Sequence, residues 1–233
     1  MFIIPTYYDG QKSKIGETIE SIKFFNPNEK IVICDSDSPV KGYEKNYLTD
    51  NVEFFNAKNN RRPFGALLET YKKYPNEDNY ILIHDTTSLL SNIDNFIKND
   101  SLITSFLFAH KPIQYLVPQI RNEYFVWMEN LMNNTKYDFI SDIRTDENYL
   151  ICVGSMGIYK NKIIDKFFKM GLYENFNSFS FNEGQFSERA IGYLCKIEGI
   201  DIEKNTIEGN VHEKWDGLVN GNLQYLKKTF NGR

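Results

Sequence analysis

Four short polar runs in the N-terminal part of the chain carry the groups that phosphate and metal chemistry uses. They are Thr6-Tyr7-Tyr8-Asp9, Asp35-Ser36-Asp37-Ser38, Asn56 with Asn59, Asn60, Arg61 and Arg62, and His84-Asp85-Thr86. A carboxylate and an imidazole can hold a divalent cation, and a guanidinium can meet two phosphate oxygens at once. Together such groups neutralise a diphosphate leaving group. Farther along, Ser187-Glu188-Arg189 offers a glutamate able to take the proton of an attacking hydroxyl, and His212 lies in Asn210-Val211-His212-Glu213. No GxGxxG follows the first apolar run and no GxxxxGK[ST] occurs, which excludes the dinucleotide fingerprint and the P-loop.

Hydrophobic periodicity says which elements must position these groups. Apolar runs at 2–8, 30–39, 52–57 and 79–87 read as strands, and each ends in one of the polar runs. Helical spacing of Ile15, Ile19, Ile22 and Phe25, and again over 64–74, places helices between them. Near-continuously apolar strands alternating with helices imply an α/β fold, a Rossmann-like and mainly parallel sheet flanked by helices. In such sheets ligands bind beyond the carboxyl ends of the strands, where the polar runs stand.

The second half is less regular. Pro112 and Pro118 forbid one long helix there, so 121–132 is expected to be helical with an extended or turned segment before it. A strand at 149–153, a turn through Gly154 and Gly157 and a helix at 161–170 ended by Gly171 come next. Ala190, Ile191, Leu194 and Ile197 form a helical stripe, with Ser187 as the expected N-cap and Glu188 in the first turn.

Composition limits the possible roles. The formal charge of −4 argues against a protein devoted to a nucleic-acid backbone. Cys34, Cys152 and Cys195 show no CxxC spacing, which excludes a zinc ribbon and suggests buried, reduced thiols. With no signal-peptide pattern at the start and no long apolar window, the expectation is a cytoplasmic protein without a membrane span. No repeat or linker divides the 233 residues, so one domain is expected, with 1–90 as a nucleotide-binding half and 91–233 as an acceptor-binding and catalytic half. The high aromatic share, including Trp127, Trp215 and the Tyr/Phe cluster at 173–186, suits either a sugar-stacking platform or core packing.

Taken together, these residues resemble nucleotide-sugar glycosyltransferases of the GT-A fold. Ile3-Ile4-Pro5-Thr6-Tyr7-Tyr8-Asp9 is similar to the first strand of that fold, and Cys34-Asp35-Ser36-Asp37-Ser38-Pro39 to the acidic turn that contacts the base. His84-Asp85-Thr86 stands where the family has its DxD motif. The segment from Cys152 through Ile164 is similar to the glycine-containing stretch beside the donor sugar, and Ser187-Glu188-Arg189 to the helix start that carries the catalytic acid.

The resemblance implies transfer of a sugar from a nucleoside-diphosphate donor to an acceptor hydroxyl, such as that of a glycan. Glu188 would be the base of an inverting reaction. Donor contacts are implied for Pro5, Thr6, Tyr7, Tyr8, Asp35, Arg61, Arg62, His84, Asp85, Thr86, Gly154 and Ser155. A divalent metal, Mn²⁺ or Mg²⁺, is implied at Asp85 and His212. The departure is the missing second carboxylate of the DxD, which puts metal dependence in question. Bland alternatives stand beside these roles: His84 as a strand-end histidine bonded to backbone, Asp85 as a turn cap, Asp35 as a turn carboxylate. Two rivals are carried: a sugar nucleotidyltransferase, which normally has a glycine-rich basic loop after its first strand, and a non-catalytic sugar-nucleotide or glycan-binding pseudoenzyme.

Overall fold

The computed structural model describes residues 1–10, 13–57, 62–110, 116–136, 148–176 and 180–229. In chain order its elements are β1 (Phe2–Thr6), α1 (Ile15–Phe25), β2 (Ile31–Asp35), β3 (Val52–Asn56), α2 (Arg62–Lys73), β4 (Asn79–Leu82), β5 (Thr87–Leu89), α3 (Asp94–Ile97) and β6 (Ile103–Ala109), followed by α4 (Pro118–Met132), β7 (Ile151–Cys152), β8 (Gly157–Lys160), α5 (Asn161–Lys169), α6 (Leu172–Asn175), α7 (Phe181–Ile197), β9 (Thr206–Asn210), α8 (Val211–Asn220) and β10 (Leu226–Lys228).

The fold is α/β, with helices on both faces of a central sheet ordered β3-β2-β1-β4-β8-β6-β7 and β9 paired to β6. The first four strands are parallel, in register from Phe2↔Ile31 to Thr6↔Asp35 and from Ile31↔Val52 to Asp35↔Asn56. Their side chains alternate between two cores, as the pleat requires. Phe2, Ile4, Ile31 and Ile33 pack with Ile15, Ile19 and Ile22 of α1, whereas Ile3, Val32 and Cys34 pack with Phe64, Leu67 and Leu68 of α2. Two covered faces explain why these strands read as unbroken apolar runs. Cys34, Cys152 and Cys195 are free thiols inside the core.

Past β4 the sheet is mixed: β8 pairs antiparallel with β4 and β6, β7 antiparallel with β6, and β9 parallel with β6. Strand β8 lies between β4 and β6, with Leu82↔Gly157 and Ser105↔Gly157 in register. Gly157 is therefore a strand residue rather than a turn glycine. A Cβ there would meet the Thr104 carbonyl oxygen at 2.8 Å, so the close approach of two backbones demands glycine.

Strand β4 also ends sooner than the apolar run 79–87 suggests. The Ile83 amide still donates to the Ile3 carbonyl at 3.1 Å. Beyond it the chain leaves the sheet, and β5 pairs with β10 in a separate two-stranded ladder.

The largest revision concerns α7. Ser180 is its N-cap, accepting from the Glu183 amide at 3.2 Å while the Glu183 carboxylate accepts from the Ser180 amide at 2.7 Å. This reciprocal box satisfies two orphan donors. Ser187 is thus interior, its hydroxyl donating to the Gly184 carbonyl at 2.6 Å, and Glu188 sits in the body of the helix instead of its first turn. Helix α4 starts at Pro118, where a missing N–H costs nothing. Among the described residues, no helix is long and apolar enough to cross a membrane.

Candidate functional site

The crevice beyond Thr6 and Leu82 is where a parallel sheet of this strand order opens to a ligand. On its β4 side the chain turns through His84 and Asp85. The Thr87 amide donates to the His84 carbonyl at 3.0 Å, and the Lys14 amide to the Asp85 carbonyl at 3.1 Å. Asp85 is buried and His84 half-buried.

His84 Nε2 is 2.7 Å from the Gly154 carbonyl oxygen. A carbonyl only accepts, so Nε2 must carry the proton, and that nitrogen has no lone pair for a metal. The reading of His84 as a strand-end histidine bonded to backbone thus describes the contact it makes.

Gly154 is constrained twice. Its φ of +66° is left-handed, and a Cβ would lie 2.7 Å from His84 Cε1. Its amide hydrogen-bonds the Glu188 carboxylate. One glycine thus joins the end of β4, through its carbonyl, to α7, through its N–H. Ser155 follows with φ 54° and no exposed surface, and its buried hydroxyl has no hydrogen-bond partner among the described residues. Its carbonyl accepts from the Tyr159 hydroxyl at 2.6 Å, which pins the turn. Left-handed backbone at a non-glycine residue is strain that the surrounding contacts must sustain.

Glu188 is electrostatically poised. Burial raises its carboxyl pKa, opposed by the Gly154 amide and by the charges of Arg189 and Lys228. Lys228, on β10, responds in the complementary way: burial pushes its ammonium down while Glu188 and Asp85 push it up. The sequence reading passed over Lys228. Nothing in Leu226-Lys227-Lys228 marks the second lysine over the first, because the distinction arises only when β10 pairs with β5.

The other side of the crevice is built from the first two strand ends. Asp35 is 1% exposed. Its carboxylate accepts from the Ser38 amide at 3.1 Å, the Tyr43 hydroxyl at 3.0 Å and the Ser38 hydroxyl. It therefore acts as a turn carboxylate, and the Tyr43 hydroxyl is pushed far above its usual range by burial and by Asp35. Tyr8 stacks on Tyr43 with centroids 4.5 Å apart and donates its amide to the Ser38 hydroxyl at 2.7 Å. Tyr7 is the exposed aromatic here, at 42%. Thr6 is buried in β1 and its carbonyl accepts from the Ser36 amide at 2.8 Å; Pro5 is half-buried beside it. Asp37 projects outward, 2.8 Å from Lys41. Arg61 lies outside the described residues, as do Asn59 and Asn60; Arg62 opens α2.

Among the described residues, no three His, Cys, Asp or Glu side chains group so as to hold an ion. His212 is exposed in the first turn of α8, its amide bonded to Asn210 Oδ1 at 3.1 Å. A lysine ammonium, that of Lys228, is acted on by both Asp85 and Glu188.

On the other side of α7, Trp127 packs edge-on against Phe176 at 5.8 Å and tilts against Phe186 at 5.9 Å. It is a core residue at the floor of a cleft of about 380 Å³, lined also by Asn122, Asn130, Asn182 and Glu183. Trp215 is exposed, and His110 sets its ring against Phe108 at 5.3 Å.

No protein-family model matches the chain, and no curated protein matches it. Among solved structures, the chain is similar to S. aureus TarS, residues 1–349, at 15% identity and TM-score 0.43, over 81% of this chain and 54% of that one. It is similar to GalNAc-T7 with UDP, GalNAc and Mn²⁺ at 15% identity and TM-score 0.48, over 78% of this chain and 40% of the other. The galactosyltransferase LgtC with donor and acceptor sugar analogs aligns at 10% identity and TM-score 0.48, over 82% and 70%. The chain spans about half the length of the TarS structure. Similarity of this order describes the path of the chain and says nothing of chemistry.

Proposed function

We propose that this protein is a glycosyltransferase that moves a sugar from a nucleoside diphosphate to an acceptor hydroxyl with inversion, serving glycan biosynthesis in the cytoplasm. In this reading residues 1–90 form the nucleotide-binding half and 91–233 the acceptor-binding and catalytic half of one domain.

The observation that carries it is the Gly154 link. A carboxylate with a raised pKa, Glu188, is tied by the Gly154 amide to the same turn whose carbonyl meets His84 at the end of β4. A base held at the open end of a parallel sheet suits attack on a ligand bound in the crevice. The acceptor oxygen attacks the anomeric carbon and its proton passes to Glu188. The bond from the anomeric carbon to the phosphate oxygen breaks, and its electron pair leaves with the diphosphate.

Tyr7, exposed at the end of β1, offers its ring to the base. Asp35 shapes the neighbouring turn. Pro5, Thr6, Tyr8 and Thr86 form the walls, Gly154 and Ser155 bring backbone near the sugar, and Arg61 and Arg62 meet phosphate oxygens. The free, buried cysteines accord with a reducing compartment.

Turnover assays with UDP-, GDP- and dTDP-sugars, run beside calorimetry with the same donors, test the proposal. Release of nucleoside diphosphate with a glycosylated product supports it. Pyrophosphate release from a nucleoside triphosphate and a sugar 1-phosphate would replace it with nucleotidyl transfer. Donor binding without any turnover would replace it with a binding protein.

A further inference from the structure

Strand β10 presents its side chains alternately: Leu226 is buried, Lys227 exposed, and Lys228 again turns inward. The ladder fixes this register, with Lys228 opposite Thr87 and the Thr229 amide donating to the Thr86 carbonyl at 2.9 Å. The strand is held from behind as well. Glu208 Oε1 accepts from the Leu226 amide at 3.0 Å and from the Tyr225 amide. A lysine facing inward from a doubly anchored strand is a pre-placed cation, its position set by backbone pairing rather than by its own flexible stem.

Its surroundings are anionic. Asp85, two residues before its ladder partner, and Glu188 both act on its charge. Two carboxylates beside a bound diphosphate would repel it, and an ammonium that both of them act on reduces that repulsion while opposing entry of a divalent ion. An ammonium has three donors, so it can keep a carboxylate and still bond phosphate oxygens. The turn at Gly154 adds the Ser155 hydroxyl, which is buried and has no hydrogen-bond partner among the described residues.

We propose that Lys228 is the diphosphate-binding cation of this site and that nucleoside diphosphate binds without a divalent metal. The nucleoside part of this inference rests on the glycosyltransferase reading; the diphosphate part rests on the placement of Lys228 alone.

Calorimetry with UDP, GDP, dTDP, uridine and inorganic pyrophosphate, first in EDTA and then in excess Mn²⁺, tests it. In EDTA a nucleoside diphosphate and pyrophosphate should bind, and Mn²⁺ should change the affinity less than about threefold. Loss of a charged hydrogen bond in Lys228→Met should weaken both about ten- to hundredfold and leave uridine unchanged, with Lys228→Arg retaining most of the affinity. Strict dependence on Mn²⁺ overturns the inference and leaves the transferase reading standing. So does equal weakening of uridine and UDP by Lys228→Met. Should that variant fail to fold, the comparison of EDTA with Mn²⁺ on the unaltered chain decides. Lys228-dependent binding of pyrophosphate with no nucleotide bound upholds the cation and overturns the transferase. No binding of any probe overturns both.

Discussion

His84 Nε2 lies 2.7 Å from the carbonyl oxygen of Gly154, so the residue two positions beyond β4 is fastened to the turn whose amide bonds the Glu188 carboxylate. Gly154→Ala would place a methyl 2.7 Å from His84 Cε1 at a φ of +66°. A loss of about 1–3 kcal/mol is expected from the left-handed backbone and the displaced ring. His84→Ala in the same chain should restore only part of it, since the φ penalty remains. Denaturant melts of the three variants measure both contributions.

Glu188→Gln should reduce turnover by about 10²–10⁴-fold, the usual contribution of a positioned general base. Donor affinity should change less than about threefold. Single-turnover rates beside calorimetric donor binding separate the two. Loss of donor binding in step with turnover would make Glu188 a structural residue.

The raised pKa of Glu188 gives two pH signatures of known sign. In the proposed transfer the carboxylate is the active form, so the rate should climb with pH through a midpoint above the ordinary value of 4.5. Stability should move the other way. A carboxyl whose folded pKa is raised favours the folded state while protonated, and that advantage disappears as pH rises from the unfolded value through the folded one. The Tm of the unaltered chain should therefore fall relative to that of Glu188→Gln across this window and run parallel above it.

Gly192 sits in α7 where a Cβ would lie 1.6 Å from the Leu150 carbonyl oxygen. Gly192→Ala must push helix and strand apart, at a cost of at least about 3 kcal/mol. Gly199→Ala is the control. Its φ is +68° and nothing among the described residues lies within 4 Å of the added Cβ, so a backbone penalty of about 1–2 kcal/mol is expected. Thermal melts rank them.

Tyr43→Phe removes one of the donors to the buried Asp35 carboxylate, a bond of 3.0 Å. About 1–3 kcal/mol of stability should go with it. The stack on Tyr8 survives the change, so any added loss of nucleoside affinity would report the turn, not the ring.

How far the sequence carried depended on where the information sits. The parallel half was legible because both faces of β1 and β2 are covered, leaving long apolar runs that end in polar residues. Helix α1 appeared at its observed bounds for the same reason: Ile15, Ile19 and Ile22 all face one core. Strand β8 was not foreseen, since four residues squeezed between a turn and α5 give no period to read. The start of α7 was misplaced because Ser187-Glu188 imitates a cap, while the true signal, Ser180 with Glu183, is hidden among aromatic residues. Within the site, Glu188 and Gly154 could be named from their types, but the link between them is a backbone hydrogen bond, and Lys228 depends on a strand pairing across the whole chain. Such information exists only in three dimensions.

The β5–β10 ladder means that the site belongs to neither half. Residues 1–90 alone would carry Asp85 without its lysine, and the remainder would carry Glu188 and Lys228 without the strand that orients them. Ser91 and Gln224, hydrogen-bonded beside this ladder, are 133 residues apart in the chain. Separately expressed halves should each be deaf to diphosphate, and mixing them should restore a response only to the extent that β10 zips onto β5. The short ladder is thus a seam between two segments far apart in the chain, and on the proposed reading its closure is what makes one receptive cleft of them.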